Sequence, residues 1–452
     1  MEKIPVVQDY TPPYARDGKF HVRLTSGRFQ NLRRLSSWPM IALFFGLVWI
    51  QVEGQPWLLF SFAQRQIILF GHTLSWHDLP LLAGLMIAGA CLLFFMAVAW
   101  GRVWCGFACP QSIWTWLFIR IEYLTEGRAS QRARAEGQPL RGWRLLRRCS
   151  KHLLWIGLAF LTALTFSGYF MPIRELISAA LQWQLSAAAT GWLIIMTALT
   201  YTNAGLVREK ICLHACPYSR FQGVMFDPDT RTVSYDARRG EPRANRRHAQ
   251  TNSGDCVDCG LCVQVCPTGI DIRDGLQAAC IDCAACIDAC DQVMDKLQRP
   301  RGLIRFTSES QLEGKASPFL RPRLAGYAAV MLVACTAVLY GFSDTTRLLV
   351  EIRRDRNALF TRPDAHSVCN NYRIKVEQFD PGDSMIEVSL ADARGFELYG
   401  VTRLDLAENN ATWLPYRVCG QDLERPRYDL NFRFRGQHGE TEKATTFITR
   451  SL

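Results

Sequence analysis

The chain has 452 residues, more than one ordinary domain, and 49% of them are hydrophobic, including 13 Trp and 25 Phe. This composition is unusual for a purely soluble protein and favours membrane-spanning segments. The net charge of +11 does not indicate nucleic-acid binding, because the basic residues lie in loops that flank apolar runs and no recognition element is visible.

The N-terminal stretch 1–37 is polar and basic, and we interpret it as a cytoplasmic tail. It is too long and too polar to be a cleavable signal peptide, and no small-residue cleavage site follows the first apolar run. That run is therefore expected to stay in the protein as a membrane anchor.

Apolar runs predict about five transmembrane helices, four of them in a region 38–207 and the fifth after a long loop. The predicted spans are 38–50, 79–100, 152–171, 188–207 and 324–342. Loop 101–151 carries nine Arg and one Lys, and loop 208–323 carries seventeen Lys or Arg, whereas the other loops hold few. The positive-inside rule then places the N-terminus and loop 208–323 in the cytoplasm and the C-terminus outside.

From about residue 360 the hydrophobic pattern changes to a period of two. The alternating positions are Tyr372, Ile374 and Val376, then Ile386, Val388 and Leu390, then Leu430, Phe432 and Phe434. Short strands separated by turn residues predict a small antiparallel β-sandwich over 360–452. Its two cysteines, Cys369 and Cys419, either form a disulfide on the oxidising side of the membrane or stay as buried thiols, and the sequence leaves this open.

Loop 208–323 contains eight cysteines in two copies of one spacing, C-x2-C-x2-C-x3-C. The first copy is Cys256, Cys259, Cys262 and Cys266, followed by Pro267, and the second is Cys280, Cys283, Cys286 and Cys290. This is the signature of a bacterial-type dicluster ferredoxin, in which the fourth cysteine of each run binds the other 4Fe-4S cluster. We therefore assign one cluster to Cys256, Cys259, Cys262 and Cys290, and the other to Cys266, Cys280, Cys283 and Cys286.

Disulfides and zinc are the competing interpretations of these eight cysteines. A cytoplasmic loop disfavours disulfides, and zinc sites rarely repeat this spacing in tandem. Two 4Fe-4S clusters are the expected cofactors.

A second cysteine constellation consists of two C-x3-C-P pairs, Cys105 with Cys109 and Cys212 with Cys216. Each pair follows a predicted span at the cytoplasmic face, so the two pairs could converge into one four-thiolate site. The i, i+4 spacing would place both sulfurs of a pair on one face of a helical turn. Thiolates suit copper(I), zinc or an iron-sulfur cluster. The alternative is that these cysteines bind no metal and only pack as small apolar side chains at helix ends. His214, inside the second pair, is either an auxiliary ligand or an exposed side chain.

These motifs together resemble the CcoG/RdxA/FixG family of cytochrome c oxidase accessory proteins. The segments that carry the resemblance are GRVWCGFACPQSIWTW, REKICLHACPYSRFQGVMFDPDT, SYDARRGEPR, DCVDCGLCVQVCPTGIDIRDGLQ, CIDCAACIDACDQVMDK and PRGLIRFT. The resemblance implies a polyferredoxin of the bacterial inner membrane with an Ig-like C-terminal domain in the periplasm. It implies a cupric reductase that supplies copper(I) during assembly of a cbb-type oxidase. The implied partners are oxidase assembly factors or copper transporters, and the implied site residues are the twelve cysteines above. A homodimer is an open arrangement, and the cytoplasmic electron donor is not indicated.

Asp282 departs from the expected pattern, since a small residue is expected there. Its charge would lower the potential of the nearby cluster unless the side chain is solvated.

Copper(II) held by Cys105, Cys109, Cys212 and Cys216 is the hypothesis for the reaction, with the copper ion as substrate or bound ion. One rival function is a quinol-linked electron carrier of the type found in nitrate and nitrous oxide respiration. A second is a non-enzymatic scaffold for oxidase assembly, in which the clusters only stabilise the fold. The sequence has no C-x2-C-H haem motif and no clear flavin motif, which disfavours a large respiratory subunit.

Overall fold

The computed structural model describes residues 21–52, 55–61, 66–70, 72–74, 79–136, 138–243, 253–343, 348–355, 360–363, 366–378, 385–392, 395–406, 412–423, 425–436 and 440–449. The chain divides into two compact units, residues 1–59 with 83–338 and residues 60–82 with 339–452. Most of the predicted cytoplasmic tail, residues 1–20, lies outside the described residues.

Helices form most of the first unit. In chain order they are α1 (Arg28–Gly46), α2 (Leu79–Trp100), α3 (Val103–Phe107), α4 (Pro110–Thr125), α5 (Ala129–Ala135), α6 (Trp143–Gly168), α7 (Ile173–Leu181), α8 (Ala187–Thr200) and α9 (Pro217–Met225). A 3-10 turn, Leu47–Trp49, follows α1, and two π-helical segments, Tyr201–Val207 and Ile211–Ala215, lie between α8 and α9.

Three helices of the described chain are long and apolar enough to cross a membrane. They are Pro80–Trp100, Trp143–Gly168 and Pro322–Gly341, with mean hydropathies of 2.6, 1.4 and 1.8. They coincide with the second, third and fifth predicted spans. The helix of the third span, Trp143–Gly168, begins before the predicted start at residue 152. The first predicted span lies in α1, whose first half is polar, and the fourth changes from α-helix to π-helix at Tyr201, so neither is a long apolar α-helix.

The segment between α1 and α2 was predicted as a simple connection, but it contains five short strands. They are β1 (Gln51–Val52), β2 (Gln55–Pro56), β3 (Leu58–Ser61), β4 (Gln66–Leu69) and β5 (His72–Leu74). β1 pairs with β2, and the other three form a sheet in the order β3-β4-β5. The strands are too short for the sequence period to reveal them.

The ferredoxin segment is built from short elements around one buried core. They are β6 (Thr232–Tyr235), α10 (Ala237–Gly240), α11 (Leu261–Gln264), a 3-10 turn (Ile272–Asp274), α12 (Ala285–Lys296), β7 (Ile304–Thr307) and α13 (Glu309–Leu312). β6, before the cysteine loops, pairs antiparallel with β7, after them. The core contains the cysteine loops together with Val233, Ile270, Ile287 and Leu303. Helix α14 (Pro322–Ser343) follows.

Two four-stranded antiparallel sheets form most of the second unit. The strands are β8 (Leu348–Arg354), β9 (Ser367–Gln378), β10 (Met385–Leu390), β11 (Phe396–Tyr399), β12 (Arg403–Asp405), β13 (Trp413–Gln421), β14 (Arg427–Arg435) and β15 (Glu440–Ile448). The sheet orders are β12-β10-β14-β15 and β11-β13-β9-β8. All nine side chains of the period-two pattern lie in one core that both sheets share, with Leu390 half-buried.

The sandwich begins earlier than the sequence predicted, because β8 precedes residue 360 and pairs with β9. Cys369 and Cys419 lie directly opposite each other on β9 and β13 and form a disulfide. The question that the sequence left open is thereby answered.

Candidate functional site

The two cysteine loops repeat one backbone conformation. Asp258 and Asp282 precede the second cysteine of each run with φ of 46° and 49°, and Gly260 and Ala284 follow it with φ of 64° and 56°. Left-handed residues turn the chain sharply, and aspartate is among the residues that adopt this conformation most readily. Asp282 therefore occupies the same position and backbone conformation as Asp258 in the other copy.

Asp282 is also not solvated. Its side chain is buried and accepts hydrogen bonds from the backbone N–H of Arg102 at 2.8 Å and of Val233 at 3.0 Å. Burial raises the pKa of this carboxyl, and the two backbone bonds oppose that rise. The carboxyl joins the second cysteine loop to the end of α2 and to β6.

Cys256, Cys259, Cys262 and Cys290 come together as one group. Burial raises the pKa of Cys290 to about 12, with Cys259 and Cys256 among the charges that add to it. Burial likewise raises the pKa of Cys262 to about 12, with Cys259 and Cys290 adding to the rise. These four are the cysteines that the sequence assigned to the first cluster.

Cys266, Cys280, Cys283 and Cys286 line one small cavity with Ile270, Ile281 and Ala284, and Cys262 of the first group lines the same cavity. Burial raises the pKa of Cys283 to about 11, and that of Cys280 and Cys286 above the usual range. Buried thiolates without a partner are unfavourable, so such sulfurs suit a metal whose positive charge compensates them.

Within the described chain, no three His, Cys, Asp or Glu side chains close on a single metal ion. A cubane binds each of its four cysteines at a different iron, so its ligands stand further apart than those of one ion. Both groups of four cysteines therefore fit a 4Fe-4S cluster.

The two C-x3-C-P motifs share a local structure that differs from the predicted helical turn. The first cysteine of each pair lies in a short helical segment, Cys105 in α3 and Cys212 in the second π-helix. The second cysteine is extended and caps the next helix, Cys109 before α4 and Cys216 before α9, with proline at the first helical position. Proline suits this position because its missing N–H would be unpaired there anyway.

Both motifs end with a hydrogen bond that spans five residues. The N–H of Cys109 donates to the Trp104 carbonyl at 2.8 Å, and that of Cys216 donates to the Ile211 carbonyl at 2.9 Å. The shared sequence continues as C-P-x-S, and each serine carbonyl accepts from an arginine. Arg33 donates to Ser112 at 3.5 Å and Arg102 donates to Ser219 at 2.5 Å. The C-P-x-S repeat is visible in the sequence and could have indicated that the two motifs share a local structure.

The structure brings both pairs into one neighbourhood. Burial raises the pKa of Cys105 to about 12, and Cys109, Cys212 and Cys216 are all among the charges that add to it. Burial raises the pKa of Cys212 to about 11, with Cys109 and Cys216 adding to it. The Cys105 thiol donates to the Gln222 amide oxygen at 3.3 Å. His214 is exposed.

The four-cysteine group lies against the second cysteine loop. Cys105 packs in one buried group with Ile281 and Cys283. A Cβ atom on Gly106 would lie 2.7 Å from the Ile281 carbonyl oxygen and 2.8 Å from Cys283 Cα. The backbone of the first C-x3-C-P motif therefore touches the backbone that carries Cys283.

One buried arginine and one buried carboxylate tie the cluster-binding segment to its neighbours. Arg102 donates to carbonyl oxygens of Ala278 and Cys280 in the cysteine loop and of Ser219 in α9. Asp288 of α12 accepts from the N–H groups of Phe29 at 3.1 Å and Gln30 at 2.7 Å, so it caps the start of α1. Neither residue has a local sequence signal, so neither contact could be predicted from the sequence.

A second buried network joins the helices beside the site. Glu122 of α4 pairs with Arg132 of α5, with Arg208 at 2.7 Å and with Lys151 of α6 at 3.9 Å. Burial opposes the ionised form of Glu122, but Arg208 and Arg132 outweigh it, so the pKa lies below its usual value. The network fixes Arg208, and through it the segment that leads to Cys212.

A family model described as a 4Fe-4S dicluster domain matches residues 207–309. Protein RdxA of Cereibacter sphaeroides is 34% identical over 426 residues, which covers 89% of each chain. Nitrogen fixation protein FixG of Rhizobium meliloti is 32% identical over 422 residues, covering 84% of this chain and 80% of the relative. Protein RdxB of Cereibacter sphaeroides is 33% identical over 442 residues, covering 92% and 93%.

The cysteine groups, the dicluster domain and the apolar helices define an iron-sulfur electron-transfer protein. Its relatives match over nearly the whole chain, well beyond the cluster domain. The chain belongs to the FixG/RdxA family, as its motifs predicted.

Proposed function

We propose that this protein is a membrane-bound cupric reductase that converts copper(II) to copper(I) for assembly of a cbb-type cytochrome c oxidase. The observation that carries the proposal is the backbone contact between Gly106 and Cys283, which joins a four-thiolate group to a cluster-binding loop. Copper is the substrate in this scheme.

The cluster ligands are the eight cysteines in the two groups described above. Cys256, Cys259, Cys262 and Cys290 would hold the first cluster, and Cys266, Cys280, Cys283 and Cys286 would hold the second. When bound, the clusters supply two one-electron carriers. The chain's own part is to set their separation and their surroundings.

One cysteine of the second group lies beside the four-cysteine group. Cys283 is buried together with Cys105, whereas the core around β6 and β7 takes cysteines from both groups, among them Cys262 and Cys280. A cluster held by the second group would therefore be the one that borders the four-cysteine group. A cytoplasmic one-electron donor loses one electron for each copper(II) ion that becomes copper(I).

Cys105, Cys109, Cys212 and Cys216 are the proposed copper site. Soft thiolates favour copper(I) over copper(II), so reduction at this site is favourable. Because no three of the described ligand side chains already close on one ion, we expect the four sulfurs to draw together when copper binds.

The proposed setting is the bacterial inner membrane, with the N-terminus and the cysteine loops in the cytoplasm. The charge bias of the loops supports this orientation. The Cys369–Cys419 disulfide supports a periplasmic position for the sandwich, which we propose is Ig-like, because disulfides persist in oxidising compartments. Proposed partners are copper transporters or oxidase assembly factors.

The test uses full-length protein purified without oxygen in detergent. After chemical reduction, one equivalent of copper(II) is added, and cluster reoxidation is followed optically while a chelator traps copper(I). We expect stoichiometric copper(I) from the wild type and from Cys149→Ala, a control at an exposed cysteine of α6. Cys105→Ala and Cys216→Ala should keep the cluster spectrum and lose copper reduction.

Two results would redirect the assignment. Clusters that stay reduced beside copper(II) but are reduced by quinol in membranes would favour the quinol-linked carrier. Cluster-ligand variants that lose all electron transfer yet still support oxidase assembly would favour the scaffold.

A further inference from the structure

The four-cysteine group contains one polar side chain whose hydrogen bonds are incomplete. Gln222 lies on α9 and has no exposed surface. Its Oε1 accepts from the Cys105 thiol at 3.3 Å, but its Nε2 is buried and has no acceptor among the described residues. A buried amide N–H without an acceptor is costly, so native structures seldom keep one without a reason.

Tyr218 is the polar neighbour on the other side of this amide. Burial raises the pKa of the Tyr218 phenol to about 12, and the Gln222 amide opposes that rise, so the two groups lie close to each other. The Tyr218 hydroxyl nevertheless donates to the Leu93 carbonyl at 3.1 Å, and its position relative to Nε2 does not satisfy hydrogen-bond geometry. Nε2 therefore stays unpaired beside both Cys105 and Tyr218.

Metal binding changes what the Cys105 sulfur can do. A free thiol has a proton to donate, whereas a metal-bound thiolate has none and can only accept. With the present orientation, the lone pairs of Oε1 would then face the lone pairs of the sulfur. A half-turn of the terminal amide exchanges its oxygen and nitrogen, and this torsion is nearly two-fold for glutamine.

We propose that Gln222 is a positioning residue of the copper site, whose Nε2–H donates to the Cys105 thiolate when copper(I) is bound. The rotated Oε1 then faces the Tyr218 hydroxyl, whose single proton would turn from the Leu93 carbonyl to Oε1. The Nε2 that is unpaired in the metal-free protein is thus the donor to the Cys105 sulfur in the copper(I)-bound site. This inference rests on the proposed function, since it requires copper at the four cysteines.

The hydrogen bond has two consequences for the metal. It withdraws electron density from the sulfur, as N–H donors do at metal-thiolate centres. Copper(I) binding is strengthened because the bond is made to a charged acceptor. The reduction potential of the bound copper is raised, because a less electron-donating sulfur favours copper(I) over copper(II).

Gln222→Leu separates this role from a structural one. The change removes both amide atoms at similar volume, so the metal-free protein should be as stable as the wild type or more stable, because an unpaired buried group is lost. Affinity for copper(I), measured by chelator competition, should fall about tenfold to a hundredfold, as expected for a lost hydrogen bond to a charged group. The ultraviolet thiolate-to-copper(I) band should move to longer wavelength, and the copper potential should fall.

Gln111→Leu is the matched control on the helix that follows the other motif. The Gln111 amide donates to the carbonyls of Asn203 at 3.1 Å and Arg208 at 3.3 Å and is not bonded to a cysteine. Its loss should lower stability and leave the copper band in place. Tyr218→Phe should weaken copper binding less than Gln222→Leu, because it leaves the Nε2–H donor to Cys105 in place; it also removes the hydrogen bond to the Leu93 carbonyl in the metal-free protein.

The outcomes distinguish the two proposals. If the wild type binds copper(I) only when its four cysteines are present, yet Gln222→Leu leaves affinity, band and potential unchanged, the role of Gln222 is wrong and the copper site stands. If Gln222→Leu lowers metal-free stability without moving the band, Gln222 is structural. If the wild type and Cys105→Ala bind copper(I) equally, both proposals fall together.

Discussion

The contact between Gly106 and the second cysteine loop can be tested by adding one methyl group. In Gly106→Ala the new Cβ would lie 2.7 Å from the Ile281 carbonyl oxygen, 2.8 Å from Cys283 Cα and 2.9 Å from Cys283 N. Ordinary contact begins at 3.4 Å, so the two backbones must separate by about 0.5 to 0.7 Å. All three obstructing atoms are backbone atoms, so no side-chain rotation can relieve the clash.

Overpacking of this kind costs about 1 to 3 kcal/mol. We expect Gly106→Ala to destabilise the protein by that amount and to slow copper(II) reduction, because the four-cysteine group moves away from the loop that carries Cys283. The cluster absorbance should stay, since none of the eight proposed cluster ligands changes. Gly89→Ala, in α2, is the matched control: no atom lies within 4 Å of its new Cβ, and alanine is favoured by about 0.5 to 1 kcal/mol inside a helix.

Thermal unfolding in detergent gives the stability change, and stopped-flow mixing of reduced protein with copper(II) gives the rate. If Gly106→Ala matched the wild type in both measurements while Gly89→Ala behaved as expected, the backbone contact would not be the route between the two cysteine groups. A loss of cluster absorbance in Gly106→Ala would instead show that the loop itself had been disrupted.

Three further predictions concern stability. Glu122→Gln leaves Arg208 and Arg132 without a buried anion, so we expect a loss of about 3 to 5 kcal/mol in thermal or denaturant unfolding, whereas the exposed Glu313→Gln should change little. Because the folded pKa of Glu122 lies below its unfolded value, the stability that Glu122 contributes is present at neutral pH and is lost as the pH falls through the folded pKa. This would be contradicted if Glu122→Gln lowered the free energy of unfolding as much in acid as at neutral pH. Asp288→Ala removes two bonds to the start of α1 and should cost about 2 to 3 kcal/mol, seen as earlier melting; unchanged melting would show that α1 does not need this cap. Reduction of the Cys369–Cys419 disulfide, which closes a separation of 50 residues, should lower the stability of the sandwich by about 4 kcal/mol, and Cys369→Ala should melt at the same temperature with and without reductant.

The cysteine loops were predictable because their geometry is local. Cys256, Cys259 and Cys262 are fixed by one tight turn, and the Asp258 and Asp282 positions repeat in both copies. The β-sandwich was predictable for a similar reason, because alternating apolar positions such as Tyr372, Ile374 and Val376 indicate which face of the strand is buried. The start of the sandwich was missed because β8 contains the charged residues Glu351, Arg353 and Arg354, and no period stands out.

The membrane helices were predictable where apolar residues run long enough. Helix α2 matches its predicted span, because 79–100 contains no charged residue. The fourth predicted span was found as a helical stretch, but nothing in its composition indicates the change to a π-helix at Tyr201.

The sequence by itself determined the family and the iron-sulfur class of chemistry, and it predicts the two sets of cluster cysteines, because each depends on spacing along a short stretch of chain. The tertiary structure decided that the two C-x3-C-P pairs meet, that they lie against the loop of Cys283, and that Gln222 holds an unpaired amide beside Cys105. These contacts join residues far apart in the chain, 117 positions in the case of Cys105 and Gln222. No local pattern encodes such a contact, since it arises only when several helices pack around the same loop.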